Sequence, residues 1–109
     1  VEGGTSWPLG LQLLSPYIRT IDIKDFLWSE RVDRRVPKWV PVGEGMVDFP
    51  RYFEKVKQLG ISAAISLHYE YAPLEGPNEL PPPERRAEAV SLLRRDLQQL
   101  RGYLRDAGL

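Results

Sequence analysis

Two short segments of the chain carry acidic and basic side chains at a spacing of two residues. Asp22 and Lys24 lie in the first segment, and His68 and Glu70 lie in the second. In an extended strand, alternate side chains point to the same face, so each pair would project from one side of its strand. Carboxylates and imidazoles ligate divalent metals, and all four groups transfer protons. An acid and a base on one face of a buried strand are uncommon, which is a first indication of function.

Each of these residues also has a purely structural explanation. His68 is the only histidine, and it either ligates a metal or shuttles protons, or is simply hydrogen-bonded in the interior. A buried Glu70 needs a partner or a metal, because an isolated carboxylate is costly to bury. Asp22 and Lys24 are either a ligand and a substrate-orienting cation, or an ion pair that joins neighbouring strands. The residues alone leave these alternatives open.

The composition excludes several classes of protein. The 109 residues carry 15 basic and 15 acidic side chains, so the net charge is zero and gives no reason to expect nucleic acid or an anionic membrane as partner. The absence of cysteine excludes a disulfide framework, a thiolate metal site and a cysteine nucleophile. No apolar run approaches the roughly 20 residues that span a bilayer, and no secretory signal is recognisable at the start. We expect a cytoplasmic location by default, with export of a longer parent left open.

Hydrophobic spacing predicts five elements in the order α-β-α-β-α. Helices are predicted after Thr5, over 49–59 and over 84–105, with strands over 18–24 and 61–71 and a proline-rich loop over 72–83. Strands that alternate with helices indicate an α/β fold with a parallel sheet. Two strands leave open sheet edges, so the remaining strands are expected from elsewhere. The buried stripe of the last helix is predicted to be Val90, Leu93, Leu97, Leu100 and Leu104.

The order and spacing of three segments resemble the xylose-isomerase-like sugar phosphate isomerase/epimerase family. The segments are Ile18–Asp25 (IRTIDIKD), Gly43–Phe49 (GEGMVDF), and Gly60-Ile61 leading to His68-Tyr69-Glu70. The resemblance covers nearly the whole chain but only about the last third of a family barrel. It implies that residues 1–109 are a single partial domain, the C-terminal part of a (β/α)8 TIM barrel. The start at Val1 fits either the loss of a leader or truncation, and the order of elements, which matches only the last part of such a barrel, favours a chain cut from a longer protein.

The resemblance also implies a site. Family members hold a divalent metal at the C-terminal mouth of the barrel, where (β/α)-barrel chemistry takes place. Asp22 stands where many members have a histidine, and His68 stands where a glutamate is usual. The implied ligands are therefore Asp22, His68 and Glu70, around Mn²⁺, Zn²⁺ or Mg²⁺. Glu70 and Lys24 are the implied catalytic residues.

The segment 25–47 is predicted to be a long connection that takes part in substrate binding. Trp28 and Trp39 either wall a sugar pocket or cover the barrel mouth. Arg31 opens a basic stretch that matches phosphate oxygens, although a solvated loop is the favoured interpretation. We assign Trp28, Arg31 and Trp39 to the binding of a small carbohydrate or sugar phosphate. Gly43-Glu44-Gly45 lacks the longer glycine pattern and the lysine of a phosphate-binding loop.

The leading functional prediction is metal-assisted isomerisation or epimerisation of a small carbohydrate, incomplete in this chain alone. The alternative is a non-catalytic homologue or fragment that acts as an interaction module, with oligomerisation through the open barrel edges. A third possibility is an apurinic-site endonuclease, because that group shares the barrel. One histidine and zero net charge argue against it.

Overall fold

The computed structural model describes residues 6–31, 34–71 and 83–109, with only the backbone described at Glu30, Arg31 and Arg34. These residues form three α-helices, one short 3₁₀ helix and four strands in two small sheets. The elements in chain order are α1 (Trp7–Leu14), the 3₁₀ helix (Ser15–Tyr17), β1 (Thr20–Ile23), β2 (Asp25–Arg31), β3 (Arg34–Val40), α2 (Phe49–Gln58), β4 (Ala64–Leu67) and α3 (Pro83–Ala107).

The prediction of a TIM-barrel segment is wrong. A barrel segment contains only parallel strands that alternate with helices. Here β1 pairs with β4 in parallel, but β2 and β3 follow each other directly and form a separate antiparallel pair. The described part of the chain is therefore a small mixed α/β structure with one parallel and one antiparallel pair of strands, and it contains no barrel segment.

The antiparallel hairpin replaces most of the long connection predicted over 25–47. β2 and β3 pair over seven residues each, from Asp25 opposite Val40 to Arg31 opposite Arg34. Pro37 lowers the strand signal of β3, because proline cannot donate to a ladder and is confined to edge strands. Every strand of a two-stranded sheet is an edge, so this proline is tolerated. Aromatic contacts on one face stabilise the pair, with Phe26 edge-on to both Trp28 and Trp39.

The core forms where α2 and α3 cover the parallel pair. Asp48 caps α2 by accepting a hydrogen bond from the Arg51 N–H at 3.1 Å, and the helix is followed by Gly60 in the left-handed conformation that glycine favours. The predicted apolar face of α2 is buried, and Phe53 is fully inaccessible to solvent. The buried core cluster is Ile21, Ile23, Val42, Phe49, Phe53, Val56, Ile61 and Leu100.

The buried side of α3 differs from the predicted leucine stripe. Leu100 is buried, but Val90 and Leu97 are 42% and 39% exposed. Ala89 and Asp96 are buried instead. The helix itself begins at Pro83 and ends at Ala107, close to the predicted bounds. The predicted proline-rich loop lies outside the described residues except for Pro83.

None of the helices in the described ranges is long and apolar enough to cross a membrane. The assignment of residues 1–109 to one domain stays a prediction.

Candidate functional site

The parallel pairing of β1 and β4 brings the two chemically active segments together. Asp22 lies opposite Ser66 in the register, and the His68 N–H donates to the Ile23 carbonyl at 2.9 Å just beyond β4. Lys24 follows β1 directly, and Glu70 follows two residues after His68. Because both strands run in the same direction, their carboxyl ends meet at one edge of the sheet. The predicted catalytic and ligand residues are therefore neighbours in space.

His68 lies between two carboxylates. Its Nε2 is 3.4 Å from Asp22 Oδ1, and its Nδ1 is 3.9 Å from Glu70 Oε1. The Ser66 hydroxyl donates a hydrogen bond to Asp22 Oδ1 as well. Each ring nitrogen thus has a carboxylate on its own side, an arrangement that can pass a proton across the ring.

Lys24 and Glu70 form an ion pair at the edge of this group. Lys24 Nζ is 2.6 Å from Glu70 Oε1, and the two side chains are 33% and 39% exposed. The same ammonium lies 4.8 Å from the centroid of the Trp39 ring. A pair this exposed is screened by water and contributes little to the stability of the fold, less than about 1 kcal/mol. The position of the Lys24 ammonium, between the Glu70 carboxylate and the face of Trp39, bears on function, whereas the ion pair bears little on stability.

A cleft of about 300 Å³ opens beside this ion pair. Its lining is mainly apolar, with a charged rim at one end. Burial raises the pKa of Tyr52 above that of a free tyrosine, so its hydroxyl stays protonated at neutral pH. The lining residues are Asp22, Ile23, Lys24, Phe26, Trp39, Val47, Phe49 and Tyr52.

The three implied metal ligands do not converge on one point. His68 turns different nitrogens to Asp22 and Glu70, so the two carboxylates lie on different sides of its ring. No group of three or more His, Asp or Glu side chains suited to a metal ion occurs within residues 6–31, 34–71 and 83–109. Two ligands about 2.1 Å from one tetrahedral ion are roughly 3.4 Å apart, which is the separation of Asp22 Oδ1 and His68 Nε2. This one separation is compatible with two ligands, but Glu70 Oε1 lies 3.9 Å from the second ring nitrogen, beyond hydrogen-bond distance.

The residues assigned to substrate binding are only partly brought together. Trp39 lines the cleft next to Lys24. Trp28 is 40% exposed and packs edge-on against Phe26, and it is not among the residues that line this cleft. The side chain of Arg31 lies outside what the structure describes.

Sequence reasoning missed two buried carboxylates. Asp25 is 1% exposed and accepts hydrogen bonds from four backbone N–H groups. Asp96 is also 1% exposed and accepts a 2.5 Å hydrogen bond from the Tyr71 hydroxyl. Burial, together with the hydrogen bond to Asp96, raises the pKa of Tyr71 well above its usual value. The glycines at 43 and 45 were a usable signal for Asp25, since they allow backbone N–H groups to approach a buried acceptor.

A scan against protein-family models found no matching family, and a search of curated proteins found no match.

Proposed function

We propose that the cleft binds a small carbohydrate or sugar phosphate and that the chain contributes to its isomerisation or epimerisation. One observation carries the proposal: Lys24 Nζ lies 2.6 Å from the Glu70 carboxylate and over the Trp39 ring, at the rim of an apolar cleft. A base and a cation serve the proton transfer, and an aromatic surface can hold the sugar ring. The resemblance to sugar phosphate isomerases and epimerases points to the same reaction class.

Binding would use the two kinds of surface in the cleft. The C–H face of a sugar ring is apolar and packs on an aromatic side chain, here Trp39. Hydroxyl groups of the sugar would then meet the rim, where Asp22 accepts hydrogen bonds and Lys24 donates them. The assignment of Trp28 and Arg31 to substrate binding stays a prediction, because Trp28 does not line this cleft and the side chain of Arg31 lies outside the described residues.

The proton transfer would run between Glu70 and the substrate. Glu70 takes the proton from the carbon next to the carbonyl, and the electron pair moves to the carbonyl oxygen to give an enediolate. The Lys24 ammonium stabilises the negative charge on that oxygen. Return of the proton from Glu70 to the former carbonyl carbon, while the neighbouring hydroxyl proton moves to the former carbonyl oxygen, gives the isomer. Delivery of a proton by a second acid to the opposite face of the original carbon gives the epimer. His68 would carry the hydroxyl proton between the two substrate oxygens.

A divalent ion, of the Mn²⁺, Zn²⁺ or Mg²⁺ type, remains part of the proposal. Asp22 and His68 would hold it. When bound, such an ion polarises a substrate carbonyl as a Lewis acid. Cytoplasmic location is likewise carried forward as part of the proposal.

The test is proton exchange at carbon. The protein is incubated in D2O with small aldoses, ketoses and their phosphates, with and without each metal, and deuterium at the carbon next to the carbonyl is followed by NMR. We expect incorporation by the wild-type protein and a loss of about 10²- to 10⁴-fold in Glu70→Gln. Glu54→Gln removes the same charge from the exposed side of α2 and should leave the rate unchanged. No incorporation with any sugar, or equal rates in both variants, contradicts the proposal.

A second candidate function is self-association through the parallel sheet. Among the described residues, β1 and β4 each pair with one strand only. Because Arg19 and Ile23 direct their carbonyls to β4, the backbone groups of Thr20 and Asp22 point to the other edge of β1. An open edge of this kind pairs readily with another copy of the chain. A solution mass that doubles with concentration, without any deuterium incorporation, would favour this interaction module over the enzyme.

A further inference from the structure

Asp25 is a buried carboxylate that four backbone N–H groups hold. Its Oδ1 accepts from Phe26 at 2.9 Å and Val47 at 3.2 Å. Its Oδ2 accepts from Gly43 at 3.0 Å and Gly45 at 2.9 Å. The side chain is 1% exposed, so these four donors replace water almost completely. Hydrogen bonds to an ionised acceptor are about twice as strong as neutral ones.

The four donors come from two different parts of the chain. Phe26 belongs to β2, whereas the other three belong to the segment 43–47, which we call the clasp segment. A further bond, from the Met46 N–H to the Phe26 carbonyl at 2.9 Å, runs between the same two parts. Asp25 therefore joins the start of the hairpin to the clasp segment.

Both parts contribute lining residues to the candidate site. Lys24 and Phe26 flank Asp25 and line the cleft together with Trp39 of the hairpin. Val47, in the clasp segment, and Phe49 line the same cleft. The bonds that Asp25 makes therefore join two parts of the chain that line one cleft.

Gly45 shows how closely the clasp segment approaches Asp25. A Cβ atom at this position would overlap the Asp25 carboxylate and would lie 2.7 Å from the Phe26 carbonyl oxygen. Real Cβ atoms do not occur at such distances, so glycine is required here for a close approach. The outer surface of the same segment makes a different contact, an exposed ion pair between Glu44 and Arg95 at 3.0 Å.

We propose that Asp25 is a positioning residue, which holds the clasp segment against β2 and so fixes the cleft that presents Lys24 and Trp39 to a substrate. Only the identity of the substrate rests on the proposed function. Asp25 contacts no substrate in this account, and it acts through the walls of the cleft.

The test compares Asp25→Asn with Glu44→Gln. Both variants remove one negative charge at the clasp segment, but only the first replaces an acceptor oxygen with an N–H₂ group that faces N–H donors. We expect amide hydrogen exchange at Gly43, Gly45 and Val47 to rise by about tenfold or more in Asp25→Asn, as the loss of charged hydrogen bonds implies. The indole N–H signal of Trp39 should move in the same variant. In Glu44→Gln both readouts should match the wild type.

A functional readout separates positioning from a merely structural role. With a sugar that the wild type turns over, Asp25→Asn should raise KM and leave kcat within a few-fold, because the chemical groups stay but the cleft loosens. If no sugar is turned over, the proposed function fails, yet the exchange and Trp39 signals still decide the role of Asp25. The positioning role of Asp25 is overturned if amide hydrogen exchange is unchanged in Asp25→Asn, or if Asp25→Asn and Glu44→Gln have equal effects.

If Asp25→Asn does not fold, native-state hydrogen exchange of the wild type tests whether Asp25 holds the clasp segment against β2. The amides of Phe26, Gly43, Gly45 and Val47 share one acceptor, so they should open together with one free energy. Separate opening of Phe26 and the clasp segment would overturn the proposal.

Discussion

Two carboxylates near the cleft, Asp25 and Glu70, have opposite surroundings. Asp25 is buried and accepts four backbone hydrogen bonds, whereas Glu70 is 39% exposed and pairs with the ammonium of Lys24. A fully bonded buried carboxylate is costly to disturb and has no lone pair free for a substrate. An exposed carboxylate contributes little to folding and can exchange its partner. Asp25 is therefore expected to stabilise the fold, and Glu70 is expected to take part in the chemistry.

Removal of the Asp25 carboxylate should give the largest loss of stability. Asp25→Ala leaves the N–H groups of the clasp segment and of Phe26 without their acceptor. Because unsatisfied buried groups cost about 1–3 kcal/mol each and water will reach some of them, we expect a loss of about 3 kcal/mol. Urea unfolding measures it. A loss below that of an ordinary surface substitution would contradict the distinction between the two carboxylates.

A methyl group at Gly45 tests the role of Asp25 by a change in the clasp segment. Gly45→Ala keeps the Asp25 carboxylate but forces it away from the clasp segment, and overpacking of this kind costs about 1–3 kcal/mol. Gly10→Ala is the matched control, since its added Cβ meets no atom within 4 Å and alanine favours the helix. Thermal unfolding should show a lower Tm for the first and an equal or higher Tm for the second. Equal Tm values in the two variants would be inconsistent with the close approach at Gly45.

The second buried carboxylate, Asp96, extends the comparison to pH. Asp96 Oδ2 accepts from Tyr71, and Asp96 Oδ1 accepts from Arg95, so Tyr71→Phe removes one of its donors and should cost about 1–2 kcal/mol. The folded-state pKa of Tyr71 is raised, so its contribution is complete below the ordinary tyrosine value of about 10 and declines as the pH rises towards the folded-state pKa. The unfolding free energy of the wild type should therefore fall more steeply above that pH than that of Tyr71→Phe. Parallel curves would refute the assignment.

Neutralisation of Glu70 should give the smallest effect on stability. Glu70→Gln breaks an exposed ion pair, so the free energy of unfolding should change by less than about 1 kcal/mol. Deuterium incorporation into a sugar should nevertheless be lost. Chemical denaturation and the exchange assay, run on the same sample, measure both. A large loss of stability in Glu70→Gln would show that Glu70, like Asp25, stabilises the fold, and would contradict the difference between the two carboxylates.

The sequence predicted the local elements better than their assembly. The apolar spacing of Phe49, Phe53 and Val56 identified α2, and the β-branched run at Ile21–Ile23 identified β1, because each pattern reports burial of one face. The hairpin was missed since Pro37 and the charged residues of β3 hide its alternation. With the hairpin taken for a connection, the remaining α-β-α-β-α order favoured a barrel segment that the structure excludes.

The candidate site was predictable to a similar degree. The two-residue spacing of Asp22 with Lys24, and of His68 with Glu70, predicted that each pair lies on one side of a strand. In the structure β1 ends at Ile23 and β4 at Leu67, so three of the four residues lie just beyond the strand ends, where the parallel register brings the pairs together. The contact of Lys24 with Trp39 depends on the hairpin, so no local pattern revealed it. Asp25 was missed for the same reason, because three of its four donors lie about 20 residues further along the chain.

The most direct test of the central claim is an NMR titration that follows the ring C–H signals of His68, the single histidine, and the indole N–H of Trp39. Small aldoses, ketoses and their phosphates are added in turn to the wild-type protein. The account predicts that one of these sugars shifts both signals with the same saturation curve, since both residues belong to the site at the ends of β1 and β4. If no sugar shifts either signal, or if only one of them responds, the carbohydrate site proposed here is wrong.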